Sequence, residues 1–506
     1  MSVAGRAPLA LGLAALAAAI GALALSGCVG GGGPKGNARK GGVITIAYGA
    51  RPDSLDPALA STPSAREALW LVYTPPLTYR RAGTELVPGL AERIPKVSDE
   101  GRSYTFTFRK GLRYSSGSPL RASDFKRTVD RVRALHSAGA SLFEGVAAIE
   151  ANDSTRTVRV ELDRPDSAFP YVLATTYAGL VPRATPLAES GAKPPPGIGP
   201  YAIERIRRDG GFVMRRDAAF SLPGVPDGNV DAIVVDVQPD RARAARAVIA
   251  GRLDYMRDPP PDALLPELRS KYRDRYDEHA TVSTLAFVLD SRRRPFDDVR
   301  VRRGVAYAVD GRDLKRLLAG RLEPGCTLLP AGVPGHETPD PCTYGDPDRH
   351  ANLEKARALV EKAGATGAGV TVRGAEGEEG RRVLVYWTRT LRKIGLDARL
   401  APAGGRGRTW LAERFPQLPH PVSFFPLVAA DDPLLEVDVE RLRLLPLDAS
   451  VARDWGKLDA RVVGRAYLAP FGSAKQGTFL SERLDFDNCS RFNPVYGNDY
   501  SSFCLK

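Results

Sequence analysis

Short alternating runs of apolar and polar residues recur along this chain, separated by helical stretches and by turns rich in Gly, Pro, Asp and Ser. Val43 to Tyr48 alternates as a short strand and runs into ARPDSLDPALASTPSA, where Pro52, Asp53 and Pro57 force turns. Ala65 to Tyr73 has helical spacing. After the turn Asp99-Glu100-Gly101, a strand sets Tyr104, Phe106 and Phe108 inward and Thr105, Thr107 and Arg109 outward. A second turn, Ser115 to Pro119, leads to a helix over Leu120 to Leu135, its regular part starting near Phe125 behind a Ser123 or Asp124 cap. Further on the pattern predicts strands at Thr157 to Leu162, Val230 to Val237 and Leu285 to Leu289. It predicts a hairpin of Tyr201 to Arg207 with Phe212 to Arg216 around Asp209-Gly210-Gly211. Helices are expected over Asp240 to Ala250, Val299 to Val309, Arg312 to Gly320 and Leu353 to Ala363, followed by a strand, helix and strand between Val370 and Leu400. This is a mixed α/β chain with long crossovers and no internal repeat.

The N-terminus has a different pattern. Residues 1–27 carry one charge, Arg6, and an Ala/Leu-rich run that ends Leu25-Ser26-Gly27-Cys28. A short apolar run ending in small residues is a secretory signal. Its Leu-x-Gly-Cys ending resembles the lipobox of bacterial lipoproteins, which implies lipidation at Cys28. An ordinary signal peptide or a membrane-spanning helix are the alternatives. Residues 28–40 are Gly-rich and suit a mobile tether.

Composition narrows the class. After signal and tether, roughly 465 residues remain, too many for one compact core, so two or three lobes are expected. Lys+Arg number 72 against 59 Asp+Glu, a formal charge of +13. The excess is Arg scattered along the chain, without the aromatic-interleaved basic motifs of nucleic-acid binders, so no nucleic-acid partner is expected. Apart from Cys28, four cysteines fall in two local pairs, Cys326 with Cys342 and Cys489 with Cys504. Outside the cytosol such pairs read as disulfides. A metal site using His336 and His350, or free thiols, are the alternatives, but the spacing fits no usual zinc pattern.

The stretch SDEGRSYTFTFRKGLRYSSGSPLRASDFKRT resembles the solute-binding proteins of peptide- and nickel-type ABC importers, solute-binding family 5. So do GGVITIAYGARPDSLDPALA, LVPGLAERIPKVSDEG, GIGPYAIER, VQPDRARAARAVIAGRLDYM and RPFDDVRVRRGVAYAVDGRDL, in the family's order. The resemblance implies a three-lobed, periplasmic-binding-protein-like α/β fold. Lobe I would comprise 41–74, 178–279 and 472–506, lobe II 75–177 and lobe III 280–471. It also implies a ligand held between lobes I and III, closure about a hinge, no enzymatic chemistry, and no cofactor or metal. The partners it implies are a small, peptide-like solute, an ABC permease with its ATPase complex, and the outer face of the cytoplasmic membrane through the lipid anchor. The protein itself would be a monomer.

A signalling receptor on the same fold and a secreted hydrolase are the competing functions. Against the hydrolase, the chain has no Gly-x-Ser-x-Gly elbow and no His-Glu-x-x-His, and its five His are scattered. Asp297 and Asp298 fall where the family has a helix N-cap. The cleft is expected to be lined by Ser61 and Thr62, by Thr284, Leu285, Ala286 and Phe287, and by apolar walls from Trp410, Phe424 and Phe425. These three aromatics would otherwise be core. Peptide binders of the family commonly carry an aromatic residue and an Asp-Tyr-x-x-Pro turn whose Asp pairs with the peptide amine. On SFFPLVAADDP, with Pro433 on the family Pro, Pro426 falls near the usual aromatic and Ala429 at the acidic position. Asp431 is then the nearest candidate for a cationic ligand group, a solvated turn carboxylate being the alternative.

Overall fold

The computed structural model describes residues 40–190, 193–348, 350–374, 377–402, 405–428 and 432–506. Three sheets organise it. Val43–Tyr48 pairs in parallel with Ala232–Val237 and Tyr255–Met256. Phe212–Arg216 and Tyr201–Ile206 then extend the sheet antiparallel, giving five strands. A four-stranded antiparallel sheet runs in the order Lys96–Ser98, Ser103–Thr107, Thr157–Leu162, Val146–Asn152. The third sheet has seven strands. Thr284–Leu289 lies at its centre between Thr409–Arg414 and Leu468–Phe479, with Gly369–Val372 and Asp397–Leu400 beyond. We call the bodies built on these sheets the five-, four- and seven-stranded lobes.

Each lobe has its own apolar core. Ile44, Ile46, Phe212 and Ile233 fill the first, and Tyr104, Phe106, Phe108 and Phe125 the second. The second core also recruits Ala58, Ile198, Phe220, Leu222 and Leu418 from far along the chain. All six residues of Thr284–Leu289 are buried, because both faces of this strand are covered: Leu285, Phe287 and Leu289 by one cluster, Ala286 and Val288 by another.

Two antiparallel strands connect the five- and seven-stranded lobes. Tyr276–Ala280 pairs with the far end of the twelve-residue strand Leu468–Phe479, and Leu480 then bridges to Tyr255 in the first sheet. A buried ion pair ties the Leu55-Asp56-Pro57 turn to the four-stranded lobe, as Asp56 takes both Arg131 amino groups at 2.5 Å. Gly197 and Gly199 are needed for close approach. A Cβ on either would lie 2.3 Å from a carbonyl oxygen of Val72 or Leu71.

Most elements lie within one to three residues of their sequence-expected limits. Val43–Tyr48, Thr157–Leu162 and Asp397–Leu400 match in full, and Asp298 caps Val299–Tyr307 through Arg300 N. The expected Ser123 or Asp124 cap is corrected. The helix Ser123–Ala134 starts from Ala122, itself helical, without a side-chain cap. Asp124 is buried and closes the preceding turn instead, accepting from Arg121 N at 2.8 Å and Tyr114 Oη at 2.9 Å. Both cysteine pairs are disulfides, Cys326–Cys342 and Cys489–Cys504, with Cα separations of 6.2 and 5.6 Å. His336 and His350 are engaged elsewhere, with Leu329 O and Asp310.

Candidate functional site

The helix Pro63–Leu69 starts at a Thr62 cap and directs Arg66 and Glu67 into a cavity of about 450 Å³ between the lobes. Trp70, just past its end, stacks on Tyr496 with ring centres 4.5 Å apart, and on Tyr79 at 6.1 Å. Tyr496 sits in the turn Pro494–Gly497 of the C-terminal tail, which the Cys489–Cys504 bond pins down. Thr176 and Tyr177 enter from the four-stranded lobe. The far wall is the seven-stranded lobe: Thr281, Val282 and Leu285 leading into the central strand, Glu413 at the end of the next strand, and Phe415, Pro416 and Gln417 after it. Lys475 and Gln476 of the connecting strand complete the lining.

The charged groups of this lining are unequally matched. Glu67 is 5 % exposed and meets Arg257 at 2.8 Å, and Arg257 also reaches Asp258 at 2.8 Å. Burial pushes the Glu67 carboxyl above its usual range despite that partner. Arg321 bonds Asp262 at 2.6 Å and Glu379, while Arg382 reaches the other Asp262 oxygen at 2.7 Å. Asp262 belongs to the five-stranded lobe and both arginines to the seven-stranded one, so these pairs clasp the lobes together. Glu413, exposed at the end of its strand, has no such partner among the described residues; desolvation beside the cavity wall first, and then the charge of Glu379, raise its carboxyl above the usual range. Tyr79 Oη, Thr176 Oγ1 and Gln417 Oε1 are buried on the cavity wall without a hydrogen-bond partner among the described residues. Each can accept a hydrogen bond from a group in the cavity, although buried unpartnered atoms such as Trp455 Nε1 also occur away from it.

Of the residues expected at the cleft, Leu285 lines this cavity. Ser61 and Thr62 stand just before it. Their hydroxyls both bind Asp53, and against the desolvation that would raise it these bonds hold that carboxylate down at about 2. Thr284 donates to Leu328 O, Ala286 is buried in the sheet, and Phe287 stacks on Trp387 at 3.8 Å. Phe424 and Phe425 are fully buried with Trp455 in the core of the seven-stranded lobe, and Trp410 packs on that same cluster and under Arg373. These aromatics therefore do not form the walls expected of them: they fall on the covered face of the sheet or behind it. Ala429 and Asp431 lie outside the described residues, as does Cys28. It is Phe415, Pro416 and Gln417 that enter the cavity from this part of the chain. With Pro421 in the place of the motif's proline, Gln417, an amide, stands where the acid would be.

Sequence reasoning missed Arg66, Trp70, Tyr79, Thr176, Glu413 and Tyr496. Glu413 sits exposed near the end of its strand, where a carboxylate is ordinary, so nothing local marks it. For Tyr496 no local signal exists, because only the folded tail brings it to Trp70. Among the described residues no group of three or more His, Cys, Asp or Glu is arranged to hold a metal ion. No described helix is long and apolar enough to cross a membrane.

Known proteins are similar to this chain in sequence and in fold. A Glutathione-binding protein GsiB of Escherichia coli (strain K12) is 25% identical over 312 residues, 60% of this chain and 59% of the relative. The chain thus matches somewhat more than half the length of that relative. Among solved structures, "Clavulanic acid biosynthesis oligopeptide binding protein 2" superposes with a TM-score of 0.83 at 22% identity, covering 92% of this chain and 96% of that one. The periplasmic binding protein DppA from Helicobacter pylori, in complex with the peptide STSA, gives 0.70 at 19% identity over 92% and 98%. At these identities the likeness is one of fold. These relatives are named as binding proteins, not as enzymes. The family described as Bacterial extracellular solute-binding proteins, family 5 Middle, matches residues 85–417, and with the three-sheet fold and the interlobe cavity this places the chain in family 5 of the bacterial extracellular solute-binding proteins.

Proposed function

We propose that this chain is the extracytoplasmic solute-binding protein of an ABC importer. It captures a peptide-like solute in the cavity between the five- and seven-stranded lobes and delivers it to a membrane permease. In this reading the lobes divide at 41–74, 178–279 and 472–506, at 75–177, and at 280–471. The two connecting strands act as the hinge, and a lipid on Cys28 keeps the protein at the outer face of the membrane. The observation that carries the reading is the cavity itself. Its volume, about 450 Å³, suits a small solute, in the general range of ~300–1,000 Å³ for such sites. Its wall combines aromatic faces that exclude water with buried polar atoms that await partners. The glutathione and peptide named with the relatives are both solutes of this class.

Isothermal titration of the mature protein with glutathione and with a panel of di- to pentapeptides should give saturable binding to at least one of them. No binding across the panel by folded protein rejects the peptide-like class. Cys28→Ala should release the protein from the membrane fraction; unchanged retention rejects the anchor.

A further inference from the structure

The central strand of the seven-stranded lobe runs from the cavity to an arginine-rich end. Leu285 lines the cavity. Leu289, at the other end of the same strand, lies in one row with Thr409 and Val372 of the next two strands. Within five residues of this row stand Arg292, Arg293, Arg294, Arg373, Arg406 and Arg408. Main-chain bonds hold their three segments together. Arg408 O accepts from Asp290 N at 2.8 Å, Thr371 O from Arg408 N at 2.7 Å and Thr409 O from Arg373 N at 2.8 Å. Arg408 Nη1 also donates to Arg294 O, and the Arg373 guanidinium lies 4.5 Å over the ring of the half-buried Trp410. Arginines that are scattered along the sequence are thus gathered by the sheet. The carboxylates among them are too few. Arg292 and Arg293 share Asp290, at 3.4 and 3.5 Å, and Arg294 reaches Asp297 at 3.8 Å. Asp298 is taken by Arg300. Arg373, Arg406 and Arg408 have no ion pair among the described residues. Like charges so placed repel one another, and an anionic surface relieves that repulsion.

We propose that this arginine-rich end of the seven-stranded lobe is a docking surface for the phosphate headgroups of an anionic membrane. The inference goes beyond solute capture and takes from that reading only the place of the protein beside a membrane. Planar guanidinium groups match phosphate oxygens in pairs of hydrogen bonds. A tryptophan among them suits the headgroup level, where its ring is apolar and its N–H is wet. A lipid on Cys28 holds the patch near the bilayer, so individually weak contacts suffice. Docked in this way, the lobe rests on lipid while Leu285 and the cavity lie at the opposite end of the central strand.

The test uses the mature chain with Cys28→Ser, so that no lipid is attached. It is co-sedimented with vesicles of phosphatidylcholine alone, or of phosphatidylcholine mixed two to one with phosphatidylglycerol. At low salt the anionic vesicles should bind at least about 10-fold better, and the preference should shrink as salt screens the charges. Arg293→Gln, Arg294→Gln and Arg406→Gln together remove three exposed charges of the patch. Each cation near an anionic surface is worth about five-fold, so this triple variant should lose about 10–100-fold. A control triple on the four-stranded lobe, Lys96→Gln, Lys110→Gln and Arg121→Gln, changes the net charge equally and should lose less than about 3-fold. No preference for the anionic vesicles overturns the proposal. So does an equal loss in both triples, which marks the diffuse charge of the whole chain. If the arginine triple melts lower than the parent, the same three positions changed to Lys decide: that form should keep most of the vesicle binding, and its loss overturns the proposal. None of these readouts uses the solute or the Cys28 lipid, so their failure leaves the solute-binding reading standing.

Discussion

Where the four-stranded lobe meets the seven-stranded one, Arg443 grips Asp166 with contacts of 2.6 and 3.1 Å, and Ser167 donates to Arg443 O at 2.8 Å. His420 is fully buried there, between the edge of Tyr171 and Trp455, its Nδ1 taking a hydrogen bond from Val422 N. At the cavity between the five- and seven-stranded lobes the same kinds of group are present, but Tyr79 Oη, Thr176 Oγ1 and Gln417 Oε1 lack partners among the described residues. The first contact is a joint whose Asp166–Arg443 pair is matched from within, although Trp455 Nε1 beside it has no hydrogen-bond partner among the described residues. The second, the receptacle of the proposed function, has polar atoms left for a solute to bond. A substitution at the joint should therefore lower stability. One at the receptacle should lower affinity and leave stability nearly untouched.

The largest expected effect concerns the tail that carries Tyr496 into the receptacle. Replacing Cys489 and Cys504 by Ser opens a loop of 15 residues, which costs about 3 kcal/mol in the chain-entropy model. Urea unfolding should show that loss, and solute affinity should fall as well, because the Pro494–Gly497 wall loses its support. Unchanged affinity would mean that the tail does not shape the receptacle.

At the joint, Asp166→Ala leaves Arg443 half-buried without its carboxylate. We expect a loss of about 2–3 kcal/mol in urea unfolding with solute affinity within two-fold. A larger effect on binding than on stability would erase the distinction between the two contacts.

The joint should also be acid-sensitive. Burial lowers His420 from its usual 6.5 to about 3. The unfolded chain then takes up a proton that the folded one refuses, so this contribution is complete above pH 6.5 and is lost as pH falls toward 3. At the limiting slope of about 1.4 kcal/mol per pH unit, about 2 kcal/mol disappears between pH 6.5 and 5. Asp459 works in the opposite sense. Burial raises it to about 7, so it favours the folded state as pH falls from 7 toward 3.8. His420→Gln should therefore remove the acid-labile component and leave unfolding midpoints that rise as pH drops through this window. If the parent and the variant lose stability in parallel, His420 is not the source.

The smallest expected stability effect is at the receptacle. Thr176→Val removes a hydroxyl that has no partner, so unfolding should shift by less than about 0.5 kcal/mol. Affinity for a bound peptide should drop about 3–10-fold, as for one hydrogen bond. A clear loss of stability would show that the hydroxyl is already satisfied in the empty protein.

Much of the scaffold was legible in the chain itself. The alternation of Tyr104, Phe106 and Phe108 and the Gly210 turn are local, because strand period and positive φ act over a few residues, while the Asp298 cap came with the family resemblance. The paired cysteines were legible for the same reason, each pair closing a short loop. The family order of blocks carried the fold. What the sequence did not determine was which apolar residues face a core and which face the cleft. Phe287, Phe424 and Phe425 look like wall residues in one dimension, but both faces of the central sheet are covered, so they became core. The receptacle was decided by tertiary structure, since Arg66, Thr176, Glu413 and Tyr496 come from distant segments. A cavity depends on where packed lobes fail to meet, and that follows from how the three cores and their two connecting strands fit together, not from the neighbours of any one residue.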